Sequence, residues 1–257
     1  MFFVFLIGPA GSGKSTLASA LYEWFISQDL STAIVNLDPG AEWLPYRPDV
    51  DIRDYVTVQE VMEKYNLGPN GAIIAAADLM AVEASKLREE VDGLKADYII
   101  VDTPGQMEVF AFRASGPHIT STLAGNDGSA VLFLTDVILA GKSIGLISAL
   151  FLFASVQFRF FLPQVLVLTK SDLVEKERLD YLMHLLENPK ELVEIIEKSL
   201  KGMYREMAIM FCNMLQDLNI PLPVTYVSAV NNEGLERIYM FLQRISAGGE
   251  DYTTYYY

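Results

Sequence analysis

The chain has 257 residues, a formal net charge of −14 and hydrophobic residues at 51% of its positions, which excludes a disordered or collagen-like chain and indicates a sizeable core. The acidic balance excludes a broad basic surface, so we expect no direct contact with nucleic acid. The single cysteine, Cys212, excludes an internal disulfide and a CxxC site, which favours a reducing, cytoplasmic environment.

Short runs rich in Val, Ile and Phe alternate along the chain with longer stretches of helical periodicity. This alternation is typical of a parallel sheet, and continuous hydrophobicity within the runs is typical of strands covered on both faces. The sequence therefore predicts an α/β, three-layer fold: a mainly parallel central sheet with helices on both faces, plus helical insertions. The predicted strands are 2–7, 33–38, 97–102, 130–135, 165–169 and 224–228, and the predicted helices are 14–27, 57–65, 78–92, 108–124, 143–158, 175–215 (two helices broken at Pro189) and 233–245.

The strongest motif follows the first predicted strand. Residues 8–15, GPAGSGKS, satisfy GxxxxGK[ST] between that strand and the first predicted helix. In this arrangement backbone N–H groups surround the phosphates, Lys14 reaches the β and γ oxygens and the Ser15 hydroxyl ligates Mg²⁺. A glycine-rich turn without a ligand is the simpler alternative. The residues we assign to this phosphate-binding loop are Gly11, Ser12, Gly13, Lys14, Ser15 and Thr16, the last placed to bond the α-phosphate.

A second motif, DTPGQ, follows the predicted strand YIIVD. An acidic residue at the carboxyl end of a strand near the phosphate loop is placed to hold the Mg²⁺ shell, which is the role we assign to Asp102. The Gly105 N–H is then a donor to the γ-phosphate. An Asp-Thr-Pro-Gly turn is also an ordinary way to leave a strand, so the assignment depends on its pairing with the first motif.

Two apolar segments resemble membrane-associated sequences. The run 2–7 has no positively charged segment before it and continues into glycines and a lysine, so we interpret it as a buried strand and not as a signal peptide. The block 144–162 is interrupted by Gln157 and Arg159, and its uninterrupted part is shorter than the ~20 residues of a membrane span. We expect no membrane association, and we expect the block to form a buried or partner-facing helix.

The third motif, TKSD at 169–172, comes at the end of the predicted strand VLVLT. Asp172 is suited to accept both N1–H and N2–H₂ of guanine, a pair of donors that adenine lacks, so the wrong base leaves a buried charge unpaired. Thr169 precedes Lys170, whose aliphatic stem would lie along the base. A solvated strand-to-helix turn is the alternative for TKSD taken alone. One strand later, Ser228-Ala229 is placed to supply a backbone N–H to the guanine O6.

These motifs predict a P-loop GTPase domain over residues 1–247 with a flexible tail at 248–257. One feature departs from the Ras-like plan, because a strand ending in Asn36-Leu37-Asp38 precedes a long helical excursion before DTPGQ. That order suits an all-parallel sheet and resembles the class of signal recognition particle GTPases and dethiobiotin synthetase. In that class Asp38 falls where a carboxylate lies near Mg²⁺ or the attacking water, so the predicted metal ligands are Ser15, Asp38 and Asp102.

The combination of GPAGSGKST, LDPG, LGPNG, DTPGQME and TKSD, in this order, resembles the GPN-loop GTPases over residues 1–245. The resemblance implies a homodimer in which the loop Gly68-Pro69-Asn70 of one subunit completes the nucleotide site of the other. Asn70 would act in trans on the γ-phosphate or released phosphate. The nucleophilic water would lie near Gln106 and Glu108, with Asp102 or Asp38 as proton acceptor, two alternatives that the sequence leaves open.

The resemblance also extends to biology. Eukaryotic members are associated with assembly of RNA polymerase, so a protein client is expected, and the chain is similar to a compact archaeal-type member. The helix within 144–158 has two interpretations: core, or a hydrophobic groove for a client peptide. We interpret Met203, Met207, Met210 and Met214 as core, and the acidic run at Glu175, Glu177, Asp180 and Glu187 as a solvated face.

Three functions remain open at this point. The first is a Mg²⁺-dependent hydrolase that converts GTP to GDP and phosphate as a homodimer. The second is a slow nucleotide-gated binding module for a hydrophobic client peptide, in which the GTP and GDP conformations are themselves the function. The third is an ATP-dependent small-molecule kinase or ligase on the same fold, against which TKSD argues.

Overall fold

The computed structural model describes residues 1–217 and 222–246. Seven strands form a parallel sheet, which confirms the predicted fold class. The strands are β1 Phe2–Ile7, β2 Thr32–Asn36, β3 Val50–Asp51, β4 Tyr98–Asp102, β5 Gly128–Asp136, β6 Gln164–Thr169 and β7 Val224–Tyr226. The helices are α1 Lys14–Ser27, α2 Val58–Tyr65, α3 Pro69–Gly93, α4 Met107–Ala111, α5 Ser115–Ala124, α6 Val137–Ala140, α7 Ser143–Phe160, α8 Lys176–Glu187, α9 Pro189–Ser199, α10 Gly202–Asp217 and α11 Leu235–Ser246.

The described residues divide into two compact units. The first comprises Met1–Leu134 and Val156–Pro163. Within it β4 pairs in parallel with both β2 and β1, and β1 also pairs with the first part of β5. All six residues of β1 are buried, which is the continuous apolar pattern of a strand covered on both faces. The carboxyl ends of β1, β2 and β4 therefore lie along one edge, where the loops after them meet.

The second unit comprises Thr135–Ser155 and the described residues from Gln164 onward. Here β6 pairs in parallel with β7, with Leu166 opposite Val224 and Leu168 opposite Tyr226. The predicted single domain over 1–247 stays a prediction, and the predicted tail at 248–257 lies outside the described residues.

The structure corrects several predicted element boundaries. The short strand β3 was not predicted, and the helix predicted at 78–92 begins at Pro69, because Gly68 provides its N-cap and proline is favoured in a first helical turn. The helix predicted over 108–124 is two helices, α4 and α5. The segment 175–215 holds three helices, not two, with a second break between α9 and α10.

Helix α7 has one buried and one exposed face. Leu146, Leu150 and Val156 are buried, whereas Ile144 and Phe158 are 63% and 72% exposed. Among the described residues this helix alone is long and apolar enough to cross a membrane by length and composition, a test that core helices also pass, and 39% of it is buried. The structure therefore supports a core role for one face and leaves the other face open to a partner.

The four methionines of α10 are not core residues, so that prediction is wrong. Met203, Met207, Met210 and Met214 are all at least 45% exposed. The buried face of this helix consists of other residues, including Ala208 and Cys212. By contrast, the acidic run in and beside α8 is exposed, as predicted for Glu175, Glu177, Asp180 and Glu187.

Candidate functional site

The loop between β1 and α1 adopts a shape that requires glycine at two positions. Gly13 is the N-cap of α1 with φ of 87°, a left-handed conformation that side chains disfavour. A Cβ on Gly8 would lie 2.4 Å from the Leu134 carbonyl oxygen, so no larger residue fits there. The loop leads directly into the first turn of α1, where backbone N–H groups lack intrahelical acceptors and favour an anion.

Lys14 brings the phosphate loop and the DTPGQ segment together. Its Nζ donates to the carbonyl oxygens of Gly8 at 2.7 Å, Pro9 at 3.1 Å and Gly105 at 3.4 Å. Burial lowers the pKa of the Lys14 ammonium below its usual value, and the nearby carboxylates, Asp102 most strongly, act in the opposite direction. The ammonium is thus held at the loop by carbonyls that a phosphate is able to replace.

Asp102 is buried at the end of β4, and its two carboxylate oxygens differ. Oδ2 accepts a hydrogen bond from the Tyr46 hydroxyl at 2.8 Å. Oδ1 is buried with no hydrogen-bond partner in the part of the chain that the structure describes. Burial raises the pKa of Asp102 to about 6, although the nearby Ser15 hydroxyl, the bond from Tyr46 and the charge of Lys14 lower it. Asp102 therefore has an oxygen available for a cation.

Tyr46 is a site residue that the sequence analysis missed. It lies in the irregular segment between β2 and β3, with no motif around it. Burial and the neighbouring Asp102 carboxylate raise the pKa of its hydroxyl far above the usual range, so the hydroxyl keeps its proton and acts as a donor. The only signal in the sequence was its place after a strand whose carboxyl end lies at the same edge as β1 and β4.

Asp38 contacts Gly105, the predicted donor to the γ-phosphate, directly. Its Oδ2 accepts the Gly105 N–H at 2.9 Å, and its Oδ1 accepts the Gly40 N–H at 2.9 Å. Asn36 holds the Asp38 backbone, because its Oδ1 accepts the Asp38 N–H at 3.0 Å while its Nδ2 donates to Asp51 at 2.8 Å. Asp38 therefore meets the DTPGQ segment at Gly105, and its predicted place near Mg²⁺ or the attacking water stays a prediction.

A cavity of about 170 Å³ lies beside the Asp38–Gly105 contact. Its wall includes Ile73 and Ala77 of α3, together with Gln106. Because α3 begins at the Gly-Pro-Asn tripeptide, this helix connects that tripeptide to the DTPGQ segment. Gln106 and Glu108 are exposed at the same edge, where an attacking water was predicted.

The tripeptide Gly68-Pro69-Asn70 is exposed and opens a helix. Gly68 is its N-cap, and Pro69 and Asn70 lie in its first turn, whereas the sequence analysis treated all three as a loop. The structure places Asn70 at the surface, and Ile73 is the first residue of the helix to line the cavity beside Gly105. Thr16 is also exposed, in the first turn of α1.

The TKSD segment is built within the second unit. Lys170 has φ of 59°, and its Nζ donates to Asp136 Oδ2 at 2.7 Å. Thr169 is buried and its hydroxyl donates to the Thr135 carbonyl at 3.2 Å. The Asp172 Oδ1 accepts a hydrogen bond from the buried Ser228 hydroxyl at 2.6 Å. The structure therefore joins two residues, Asp172 and Ser228, that the sequence analysis assigned to base recognition.

The Ser228 backbone is already engaged, since its N–H donates to the Glu233 carbonyl at 3.1 Å. The predicted backbone donor to the base is thereby Ala229. Asp136, like Tyr46, was missed. It is the last residue of an apolar strand, as Asp102 is, and an acidic residue at a strand end was the available signal.

The predicted metal ligands Ser15, Asp38 and Asp102 all lie in the first unit. Within residues 1–217 and 222–246, the structure has no group of three or more His, Cys, Asp or Glu side chains suited to a metal ion. A cation at Asp102 would therefore depend on ligands from a nucleotide and water, which is how Mg²⁺ is usually held beside phosphates.

The chain matches the family model described as "Conserved hypothetical ATP binding protein" over residues 6–247. It is 32% identical over 245 residues to the GPN-loop GTPase PAB0955 of Pyrococcus abyssi, covering 91% of this chain and 92% of the relative. It is 30% identical over 255 residues to GPN-loop GTPase 1 of Dictyostelium discoideum, covering 98% of this chain but 63% of the relative, which is less than two thirds.

The fold agrees with these sequence matches. The crystal structure of PAB0955 in its apo form, described as a GTPase from Pyrococcus abyssi, superposes with a TM-score of 0.86 at 29% identity. The superposition covers 95% of this chain and 97% of that structure.

Proposed function

Because the chain belongs to the GPN-loop GTPases, we propose that it is a Mg²⁺-dependent GTP hydrolase that forms GDP and phosphate as a homodimer. The observation that carries this proposal is that Lys14 and Asp38 both bond Gly105, while the Asp102 carboxylate lies near the Lys14 ammonium. A lysine, a carboxylate and a backbone N–H at one strand edge are the groups that phosphoryl transfer uses to position its substrate and stabilise charge.

The phosphates would bind at the N-terminus of α1. Lys14 would exchange its bonds to the Gly8, Pro9 and Gly105 carbonyls for phosphate oxygens, which are stronger acceptors for an ammonium group. The Gly105 N–H would turn from Asp38 to the γ-phosphate. Lys14 Nζ and the Gly105 N–H therefore have hydrogen-bond partners in the free protein and could still exchange them for phosphate oxygens.

The residues present fit Mg²⁺. The orphaned, buried Oδ1 of Asp102 and the neighbouring Ser15 hydroxyl are hard oxygen donors of the kind that Mg²⁺ prefers. Asp38 is a further carboxylate at this edge. When bound, Mg²⁺ would neutralise charge on the β and γ phosphate oxygens. The chain's own part is to hold Asp102 in place through Tyr46 and to keep either Asp38 or Asp102 as the acceptor of the water proton.

The base would be read by the second unit. Asp172 would accept the N1–H and N2–H₂ of guanine, Lys170 would lie along the ring, and the Ala229 N–H would donate to O6. The hydrogen bond from Ser228 supports this assignment, because it holds the Asp172 carboxylate in one orientation. It leaves Oδ2 and the second lone pair of Oδ1 for the two guanine donors. The proposed ligands are therefore GTP and GDP.

The proposed dimer would supply Asn70 in trans. The exposure of Gly68-Pro69-Asn70 at the start of α3 supports this, because a tripeptide that faces solvent in one chain is accessible to a second copy. The amide would donate to the γ-phosphate or the released phosphate, and no arginine is required. Gln106 and Glu108, exposed beside Gly105, would orient the attacking water.

We further propose a protein client and a cytoplasmic location, with assembly of RNA polymerase as the candidate process by family resemblance. An exposed apolar surface in the second unit supports a client: Phe151 of α7 stacks on Phe211 of α10 with ring centroids 4.2 Å apart, beside the exposed methionines. Met side chains adapt to varied apolar partners. The single cysteine, which is free, supports a reducing compartment.

The test is calorimetry with GTP, GDP and ATP, followed by phosphate release with and without Mg²⁺ across protein concentrations. We expect guanine nucleotides to bind at least about 100-fold more tightly than ATP, and hydrolysis to require Mg²⁺ and to rise with dimer formation. Lys14→Ala should abolish hydrolysis, whereas Asp180→Asn, on the exposed face of α8, should not.

Two results would favour the other functions. Tight GTP binding with near-zero hydrolysis, even at concentrations that form the dimer, would favour a slow nucleotide-gated binding module. ATP binding as tight as GTP binding would favour an ATP-dependent kinase or ligase, in keeping with the wording of the family description.

A further inference from the structure

We propose that Asp136 is a positioning residue for nucleotide binding, because it fixes the Lys170 side chain in the orientation in which its stem meets the base. The proposal rests on the proposed function, in which Lys170 lies along guanine. It assigns a role to a residue outside every motif in the sequence.

The contact itself is an ion pair with good geometry. Lys170 Nζ donates to Asp136 Oδ2 at 2.7 Å, and the side chains are 37% and 26% exposed. A pair of this kind, partly shielded from water, is screened less than one on an open surface. The ammonium is therefore held at one point at the end of its flexible stem.

The Asp136 carboxylate is itself fixed by a second interaction. Its Oδ1 accepts the Ile138 N–H at 2.7 Å, so Asp136 is the N-cap of α6. One oxygen is thus committed to the backbone and the other to Lys170. This division fixes the carboxylate plane, since both oxygens have defined partners.

The backbone of Lys170 is also restricted, so its side chain is held at both ends. Lys170 has φ of 59°, a left-handed conformation that side chains other than glycine, Asn and Asp rarely adopt. The next residue, Ser171, is tied to the residue directly after β7, because its N–H donates to the Val227 carbonyl at 3.1 Å. With both the backbone and the ammonium held, the four methylene groups between them have few conformations left.

This restriction has a consequence for affinity. A lysine stem that is free in the unbound protein loses rotamer entropy when it is laid along a ligand. Because Asp136 restricts the stem before the nucleotide arrives, less entropy is lost on binding. Asp136 should therefore strengthen the binding of any purine that Lys170 contacts, without reading the exocyclic groups that distinguish guanine.

The test is a double-mutant cycle between Asp136→Asn and Lys170→Met, with GDP and IDP as ligands. Asparagine is a good N-cap, so it keeps the cap of α6 while removing the charge that holds the ammonium. Methionine keeps an unbranched stem without the ammonium. Inosine lacks the N2 amino group that Asp172 is proposed to read, so the ratio of the GDP and IDP dissociation constants reports on Asp172 alone.

We expect Asp136→Asn to weaken GDP and IDP binding by the same factor, about fivefold. The GDP/IDP ratio should stay at its wild-type value, and the substitution should add no further loss in the Lys170→Met background. Asp136→Ser, which also keeps a capping oxygen, should behave like Asp136→Asn and serves if the asparagine variant is poorly folded. Glu177→Gln, an exposed charge removal in the first turn of α8, should leave both affinities unchanged.

Three outcomes would overturn the proposal: unchanged GDP affinity in both Asp136 variants, a full additional loss in the Lys170→Met background, or a changed GDP/IDP ratio. The last would mean that Asp136 supports the whole TKSD segment, not Lys170. These failures differ from failure of the proposed function, in which the unmodified protein itself would bind neither GDP nor IDP.

Discussion

The Asp38 carboxylate accepts the Gly105 backbone N–H at 2.9 Å. The same N–H is the proposed donor to the γ-phosphate, so the carboxylate and the phosphate compete for one hydrogen-bond donor. GTP would displace the Asp38 carboxylate from this N–H, whereas GDP would not, because GDP has no γ-phosphate. The contact would therefore be broken in the GTP-bound state and kept in the GDP-bound state.

This competition predicts the behaviour of Asp38→Ala. The GDP affinity should stay within about threefold of the wild-type value, whereas kcat for GTP hydrolysis should fall by about 100-fold or more if Asp38 also orients the attacking water. Calorimetry with GDP and single-turnover phosphate release measure the two quantities. A large loss of GDP affinity would mean that Asp38 shapes the phosphate loop instead.

Base selection can be tested at Asp172. Asp172→Asn should weaken GDP binding by at least about 100-fold, because the amide nitrogen would face the guanine N2 amino group donor to donor. It should improve binding of xanthosine diphosphate, whose exocyclic O2 accepts from that nitrogen. The measurement is competition between the two nucleotides. Unchanged preference for GDP in this variant would remove Asp172 from base recognition.

The in-trans role of Asn70 can be tested by complementation. Asn70→Ala should lower turnover while leaving GDP affinity nearly unchanged. In a heterodimer of Asn70→Ala and Lys14→Ala subunits, one site contains its own Lys14 and an Asn70 from the partner. Mixing the two impaired variants should therefore restore up to about one fully active site per heterodimer, as when an arginine finger acts in trans. If purified heterodimers of confirmed stoichiometry stay inactive, Asn70 does not act across the interface.

The raised pKa of Asp102, about 6 against an ordinary value of 3.8, predicts a pH dependence of stability. Below the ordinary value both folded and unfolded states hold the proton. As the pH rises from about 4 through 6, the unfolded state loses it first, so the free energy of unfolding falls by about 3 kcal/mol and then levels off.

This prediction applies to the protein without Mg²⁺ and nucleotide. Urea unfolding at several pH values measures it, and Asp102→Asn is the control, because its amide does not titrate. The stability difference between the variant and the wild type should grow in favour of the variant between pH 4 and 6. A constant difference would show that Asp102 has no raised pKa.

Local sequence was sufficient to predict the motifs and strands that consist of consecutive residues. The phosphate loop was predicted because the GxxxxGK[ST] motif stands in consecutive residues between an apolar run and a helical stretch. The structure adds that Gly13 has a left-handed backbone directly before α1. The strands around it were predicted from uninterrupted apolar runs. The helix start at Pro69 was missed, because proline and asparagine are typical both of turns and of a first helical turn.

The sequence by itself determined which chemical groups are present: a lysine after a glycine loop, carboxylates at strand ends and a base-reading motif. Only the tertiary structure decided which of these groups meet. Parallel pairing of β1, β2 and β4 puts their ends at one edge, so Tyr46 reaches Asp102 across 56 positions of sequence. Asp136, the last residue of β5, and Lys170, which follows β6, meet in the same way across 34 positions. Contacts between strand ends depend on the order of strands in the sheet, and no local pattern in a single sequence records that order.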